Sequence, residues 1–242
     1  MQADLRRTAV LAGSEDDERC SHTAIVPVER KECIVELTSS SINDGEPIGA
    51  AYALAEPADE GHVTFAGNMN PQLAWTDVPH GTESFVVTCI DLDAPSVGDD
   101  VNQEDREVPS DLARAEFTHW LLANIPPDQV EIEEGSHSRG VTPRGKGAES
   151  APVGVHGQND YTMWFEGDKD LDGSWNGYDG CAPPWNDSIH HRYSFTVHAL
   201  DVAELALGSG FSRDELMTAM GGHILASASI TGTYATNPRL LS

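Results

Sequence analysis

The segment SFVVTCID, residues 84–91, decides the fold class of this chain because it is the clearest of several short β-like runs. The others are CIVELT at 33–38, FTHWLLAN at 117–124 and HRYSFTVHAL at 191–200. Gly, Pro, Asn and Asp separate these runs, a pattern typical of a β-sandwich or barrel. The sequence therefore predicts a protein dominated by β-structure, with these runs in its sheet core.

One helix is predicted near the C-terminus. The motif SRDE at 212–215 is a capping box that begins a helix, and Gly221 and Gly222 end it. After the glycines, apolar residues at 224, 226, 228 and 230 alternate with 225, 227, 229 and 231, which predicts a terminal strand with one apolar face.

The chain is predicted to hold a single domain over residues 31–238, preceded by a poorly ordered extension at 1–30. Two loop insertions interrupt the domain. Residues 98–116 are strongly acidic and predict a surface loop with one helical turn near residues 111–115. Residues 134–157 are rich in Gly, Ser and Pro, and we expect them to be mobile or to line a cavity mouth.

Composition excludes several classes of protein. The chain has 39% hydrophobic residues, but no stretch approaches the roughly 20 apolar residues of a membrane-spanning helix. Its 40 Asp and Glu against 14 Lys and Arg give a net charge of −26, spread along the chain, which disfavours nucleic-acid binding. A surface of this kind suits a high-salt cytoplasm, where ions screen self-repulsion; an ordinary acidic mesophilic protein is the alternative.

Two further patterns concern metal and localisation. Cys20, Cys33, Cys89 and Cys181 form no CxxC pair, which argues against a structural zinc site. Arg6 and Arg7 resemble the start of a twin-arginine export signal, but the acidic residues at 15–18 come before a usable apolar segment. We therefore expect a cytoplasmic protein.

Titratable residues occupy the apolar faces of the predicted strands. Because residues two apart share a face of a strand, Asp91 lies on the face of Phe85, and Asp93 follows it. By the same rule His119 shares a face with Phe117, Leu121 and Ala123 in the second strand, and His191 and Tyr193 share one with Phe195, Val197 and Ala199 in the third. If the strands are neighbours, these groups converge into a polar basin with apolar walls, the usual shape of a ligand site. Satisfied core polar residues, or a metal triad of two His and one Asp, are the alternatives.

Motifs along the chain resemble one known family, the phosphatidylethanolamine-binding proteins. NPQLAW (70–75), Pro79, SFVV (84–87) and DLDAP (91–95) resemble its first signature. FTHW (117–120) and NIPP (124–127) resemble the strand that follows, and GYDG (177–180), Pro183-Pro184 and HRY (191–193) resemble the second signature. GHILA (222–226) through GTY (232–234) resembles the end of the prokaryotic branch, which is described as similar to Raf kinase inhibitor protein.

The resemblance implies a β-sandwich around a large antiparallel sheet, with a small anion-binding pocket at one end. Carried over to this chain, the ligand-binding residues are Asp91, Asp93, His119, Pro183, His191 and Tyr193. The chain departs from the family pattern at Leu92, at Cys181-Ala182, and at Trp185 and the two residues after it. It also departs at the segment 166–175, which is longer and more acidic than the family pattern leads us to expect.

Three functions follow from these residues. The first is a binding protein, without cofactor, for a phosphate, phosphomonoester headgroup or carboxylate, whose occupancy alters contact with a partner protein. In it His119 and His191 donate hydrogen bonds to the anion, Tyr193 adds a hydroxyl, and Asp91 orients an imidazole. The second is a hydrolase, metal-dependent or using the His/Asp group, although no nucleophile elbow, phosphate loop or zinc-protease helix is present. The third is an inhibitor of kinases or proteases.

Overall fold

Ten strands in three antiparallel sheets supply most of the regular structure in the computed structural model, which describes residues 35–241. The strands are β1 (Glu36–Thr38), β2 (Ala55–Pro57), β3 (Val63–Phe65), β4 (Leu73–Thr76), β5 (Ser84–Pro95), β6 (Arg114–Ile125), β7 (Glu131–Ile132), β8 (Val155–His156), β9 (His191–Leu200) and β10 (Ile224–Tyr234). The helices are α1 (Tyr161–Trp164) and α2 (Arg213–Met220), with 3-10 turns at Ala50–Tyr52, Ala148–Ser150 and Pro238–Leu240.

The largest sheet has the strand order β10-β9-β5-β6-β8, and a second sheet has the order β1-β4-β7. One hydrophobic core joins them: Leu37 and Trp75 of the smaller sheet belong to the same buried cluster as Phe85 and Val197 of the larger one. The remaining strands, β2 and β3, form a hairpin. The predicted fold class, β-dominated around a large antiparallel sheet with few short helices, is confirmed.

Strand β5 is the centre of the large sheet and is buried on both faces. Phe85 and Val87 face the main core, whereas Val86 belongs to a second buried cluster with Leu216 and Met220 of α2. Helix α2 therefore covers the other face of the sheet, which explains why residues 84–91 are apolar almost without interruption.

Helix α2 and strand β10 follow the sequence prediction. The Ser212 hydroxyl accepts a hydrogen bond from the Glu215 amide, and the Glu215 carboxylate accepts one from the Ser212 amide, so the capping box is formed. Ala228 and Ile230 of β10 pack on the core as expected. Ile224 does not, because a β-bulge between residues 224 and 226 turns it outward.

The two predicted loop insertions need correction. The helical turn expected at residues 111–115 is wrong: Arg114 and Ala115 already belong to β6, where they pair with Pro95 and Ala94 of β5. Within the described residues, the segment 134–157 contributes nothing to the main cavity discussed below; the Lys146 ammonium instead forms an ion pair of 2.6 Å with Asp179, which is buried. The extension predicted at 1–30 lies outside the described residues, and the single-domain organisation stays a prediction.

Candidate functional site

A cavity of about 380 Å³ opens at one end of the large sheet. Asp91 at the end of the buried part of β5 lies opposite Phe117 of β6 and Tyr193 of β9, so the strands carrying the titratable residues are neighbours as predicted. The predicted face of His119 needs correction, because Leu121 and Ala123 pack on the opposite face of the sheet with α2. A register shift between Cys89 and Ile90 turns His119 to the side of Asp91. Asp91, His119 and His191 line the cavity and form its polar floor, and all three are almost wholly buried. Pro183 lines the wall.

His191 is held between two carboxylates. Its Nδ1 lies 2.7 Å from Oδ2 of Asp91, and its Nε2 lies 2.9 Å from Oδ2 of Asp187. Asp187 is held in turn by Arg114, whose guanidinium donates to both carboxylate oxygens at 2.6 and 3.1 Å. Asp91 also accepts from the Asp93 amide at 2.8 Å. The four side chains form one buried chain of alternating charge.

This chain of charges fixes the protonation of His191. Burial alone would lower the pKa of His191, but the hydrogen bonds and negative charges of Asp187 and Asp91 outweigh it and raise the pKa to about 9. Burial would raise the pKa of Asp187, yet the hydrogen bonds from His191 and Arg114 lower it overall. His191 is therefore a cation at neutral pH with both ring nitrogens occupied. The hydrogen bond that we expected it to donate to an anion is already given to carboxylates.

His119 has the opposite character. Its Nδ1 donates to the backbone carbonyl of Asp179 at 2.8 Å, so in the neutral ring Nε2 is an acceptor, and no described residue bonds to it. Burial lowers the pKa of His119 below its usual 6.5, although the charge of Asp91 acts in the other direction. At neutral pH the cavity floor therefore offers an uncharged imidazole with one free nitrogen.

Two of the predicted site residues do not line the cavity. Asp93 forms an ion pair of 2.8 Å with Arg192, and this pairing contributes to a lowered pKa against the opposing effect of burial. The Tyr193 ring packs beside His119, with ring centroids 5.1 Å apart, but its hydroxyl is buried and meets no hydrogen-bond partner among the described residues. Neither residue lines the cavity, and their predicted ligand-binding roles stay predictions.

The cavity walls are aromatic and apolar. Phe117 and Tyr161 stand beside His119. The rim adds Trp164 and Phe165, which directly precede the acidic segment 166–175, and two residues from the departures noted in the sequence, Leu171 and Trp185. Phe65, Val97 and Trp164 are about half exposed at 50%, 51% and 50%.

Sequence reasoning missed Asp187 and the aromatic rim. Asp187 lies four residues before His191, and that spacing together with its position after Trp185 was the available signal. The rim carried no such signal, because Trp164 ends the short helix α1 and Trp185 lies in a turn, and the strand pattern predicts the course of neither segment.

Within residues 35–241, no three His, Cys, Asp or Glu side chains are arranged to hold a metal ion. Over the same range no helix combines the length and apolarity needed to cross a bilayer.

Comparison with known proteins places these features in context. A family model described as phosphatidylethanolamine-binding protein matches residues 38–235. The UPF0098 protein YbhB of Escherichia coli K12 is 32% identical over 202 residues, which are 83% of this chain and 100% of that protein. YbcL of the same organism is 27% identical over 87% of this chain and 93% of its own length.

Solved structures agree with these matches. The crystal structure of Escherichia coli YbcL, described as a member of the mammalian phosphatidylethanolamine-binding protein family, aligns with a TM-score of 0.57 at 25% identity over 83% of this chain and 98% of its own. The homologue CT736 from Chlamydia trachomatis aligns with a TM-score of 0.56 at 26% identity, over 83% of this chain and 97% of its own.

Proposed function

This chain belongs to the phosphatidylethanolamine-binding protein family, and we propose that it binds a small ligand whose anionic oxygen, phosphate-like or carboxylate, meets His119. The observation that supports this proposal is the division of the cavity into a polar floor and apolar walls. A ligand with a compact anionic head and an apolar body would satisfy both parts. The floor takes the head, and Phe117, Phe165 and Trp185 take the body.

The charge of the floor predicts how an anion is accepted. Arg114 and His191 balance Asp91 and Asp187, so these four side chains together carry a net charge close to zero. Because an anion in a buried site stabilises a cation beside it, its arrival raises the pKa of His119. We therefore propose that binding is coupled to the uptake of a proton by His119.

We propose in addition that ligand binding in the cavity regulates contact with a partner protein. The half-exposed side chains Phe65, Val97 and Trp164 surround the cavity mouth, where a ligand's apolar body would cover them or reorder them. Occupancy of the cavity would then change an apolar surface that a kinase, a protease or another partner can contact.

Substitution of His119 tests the site. We expect His119→Gln to lower the affinity for inorganic phosphate and for acetate about 10-fold or more, since a charge-assisted hydrogen bond is lost. Isothermal titration calorimetry in molar KCl is the measurement. His223→Gln is the control, because His223 is an exposed residue paired with Asp201. Equal affinity in wild type and His119→Gln would contradict the proposal that His119 binds the anion.

The pH dependence tests the proton coupling. Sulfate keeps its charge between about pH 5 and 8.5, so any slope belongs to the protein. Free His119 has a pKa below 6.5, and the bound form has a higher one, so affinity should rise as pH falls through this range. His119→Gln should flatten the profile. An affinity that strengthens with pH would contradict proton uptake.

A further inference from the structure

The main cavity carries few groups that could hold an anion. Among residues 35–241 no Lys or Arg side chain lines it, and the guanidinium of Arg114 lies outside the lining and is bonded to Asp187. Both ring nitrogens of His191 are bonded to carboxylates, and the Tyr161 hydroxyl donates to a backbone carbonyl at 2.8 Å. Within the described lining, His119 is thus the ionisable side chain that keeps a nitrogen for an anion.

The surroundings of His119 can hold one added positive charge. The ionisable groups around its ring are Asp91 of β5, His191 and Tyr193 of β9, Asp160 and Tyr161 at the start of α1, and Asp179. His191 compensates the charge of Asp91, and Lys146 compensates that of Asp179. When His119 is protonated, one negative charge on the ligand therefore balances it. A second negative charge would stay unpaired in a buried site, which is strongly unfavourable.

The position of His119 also determines where the ligand carries its charge. His119 lies at the buried end of the cavity, whereas Trp164 is half exposed and the polar residues Ser96 and Asn102 are exposed at the mouth. The charged group must therefore form one end of the ligand. A phosphomonoester is terminal but carries about two charges at pH 7. A phosphodiester carries one charge but has substituents on both sides, whereas a carboxylate is both terminal and singly charged.

The walls of the cavity select the rest of the ligand. The volume of about 380 Å³ is many times the roughly 30 Å³ of a water molecule, so an anionic head fills only a small part of it. Six aromatic side chains line the remainder: Phe65, Phe117, Tyr161, Trp164, Phe165 and Trp185. Aromatic rings attract one another in stacked and edge-to-face arrangements beyond the effect of burial, so a ring in the ligand suits these walls.

We propose that the ligand is a small aromatic monocarboxylate, whose carboxylate meets His119 at the buried end and whose ring lies among the aromatic walls. This inference rests on the ligand-binding function proposed above and narrows it to one class of anion. The single charge of the carboxylate matches the single proton that His119 can accept. Dianionic phosphate compounds are excluded from tight binding by the same count of charges.

A pair of matched ligands tests the charge of the head on the wild-type chain. We expect isothermal titration calorimetry in molar KCl at pH 7.5 to show 3-phenylpropionate binding about 10-fold or more tightly than benzyl phosphate, which has the same ring and spacing but a dianionic head. It should also bind about 10-fold or more tightly than acetate, which lacks the ring. Benzyl phosphate binding as tightly as 3-phenylpropionate would overturn this inference but leave anion binding at His119 intact. Binding of none of the three would overturn both proposals.

The number of protons taken up is the second test. Calorimetry of 3-phenylpropionate in two buffers of different ionisation enthalpy gives this number directly. We expect it to approach one in the wild-type chain at pH 7.5, because the neutral His119 becomes charged beside the carboxylate. In His119→Gln it should be close to zero. A wild-type value close to zero would contradict the pairing of one proton with one carboxylate.

A wall substitution tests the position of the ring. Phe165 lines the cavity and stacks on Tyr161 with ring centroids 5.5 Å apart. Phe165→Ala should weaken 3-phenylpropionate about 5- to 10-fold and leave acetate unchanged, because only the first ligand reaches the wall. Met163→Ala is the matched control, since Met163 belongs to the same helical turn but is mostly exposed and does not line the cavity. An equal loss for both ligands in Phe165→Ala would contradict the proposed position of the ring.

Discussion

At the scale of single residues, the central feature of the site is His191, which is buried and is positively charged at neutral pH even without a bound ligand. Asp91 and Asp187 hold its ring from both sides, and the raised pKa of about 9 is the consequence. We expect Asp187→Asn to lower the pKa of His191, measurable by NMR titration of its ring. The free energy of unfolding should fall by about 3 kcal/mol, because Arg114 loses its buried partner.

Asp201→Asn is the control for that change. Asp201 pairs with His223 at the surface, so its loss should cost less than about 1 kcal/mol. The sign of the pH dependence gives a further check. A His whose folded pKa is raised stabilises the fold fully below pH 6.5 and loses that contribution as pH rises through about 9. Asp187→Asn should remove most of this alkaline loss; if it leaves the loss intact, His191 is not its source.

A second pair of buried histidines predicts the opposite pH dependence. Nδ1 of His137 lies 3.0 Å from Nε2 of His156, and burial lowers their pKa values to about 4 and about 3. As pH falls below about 6.5, these two histidines take up protons in the unfolded chain before they do so in the folded one. The pair therefore stabilises the fold above pH 6.5, and this contribution to stability is lost as pH falls toward 4. Urea unfolding between pH 4.5 and 7.5 should show the slope. His137→Gln should reduce it, whereas the exposed His80→Gln should not.

Residue-level reasoning from sequence located the floor of the cavity but not its hydrogen bonds. Alternation on β5 and β9 correctly placed Asp91 and His191 on the face of the main core. It was wrong for β6, because Leu121 and Ala123, which were expected to share the face of His119, pack on the opposite face of the sheet with α2. His119 reaches the cavity through the register shift between Cys89 and Ile90, which alternation does not predict. It could not assign Asp187 as the second partner of His191, which depends on the course of the turn after Trp185. The ligand-binding roles themselves stay predictions.

At the scale of elements, the capping box of α2 is the clearest local determinant. We expect Ser212→Ala to lower the free energy of unfolding by about 1 kcal/mol, since the Glu215 amide loses its acceptor. Urea denaturation is the measurement, and the exposed Ser209→Ala is the control. Equal effects of the two substitutions would mean that the cap does not limit the stability of the helix.

Elements with strong periodicity were predicted well, and loops were not. Helix α2 and strand β10 are close to their predicted bounds, because the cap, the glycines and the apolar alternation agree. The prediction of a helical turn at residues 111–115 was wrong because the strand pairing of Ala115 with Ala94 outweighs the local helix propensity. The segment 134–157 is rich in turn residues, yet it contains the buried His137 and His156, a tertiary outcome that composition does not reveal.

At the scale of the whole molecule, the net charge determines how stability depends on salt. A surface at −26 repels itself unless salt screens it, so we expect the Tm to rise between low and molar KCl. Differential scanning calorimetry at matched pH is the measurement. A Tm unchanged across this range would contradict adaptation to high salt.

The contact between Asp91 and His191 joins residues 100 positions apart in the chain. Strand β5 likewise meets its partner β9 only after more than ninety intervening residues have been closed into a loop. Chains dominated by such distant pairings fold slowly, on the order of milliseconds to seconds, because loop closure must precede the contacts that reward it. During synthesis, the backbone groups of the apolar strand β5 that face β9 therefore stay unpaired until β9 has left the ribosome. The cavity floor cannot be assembled before then, and the nascent chain spends that interval open to aggregation.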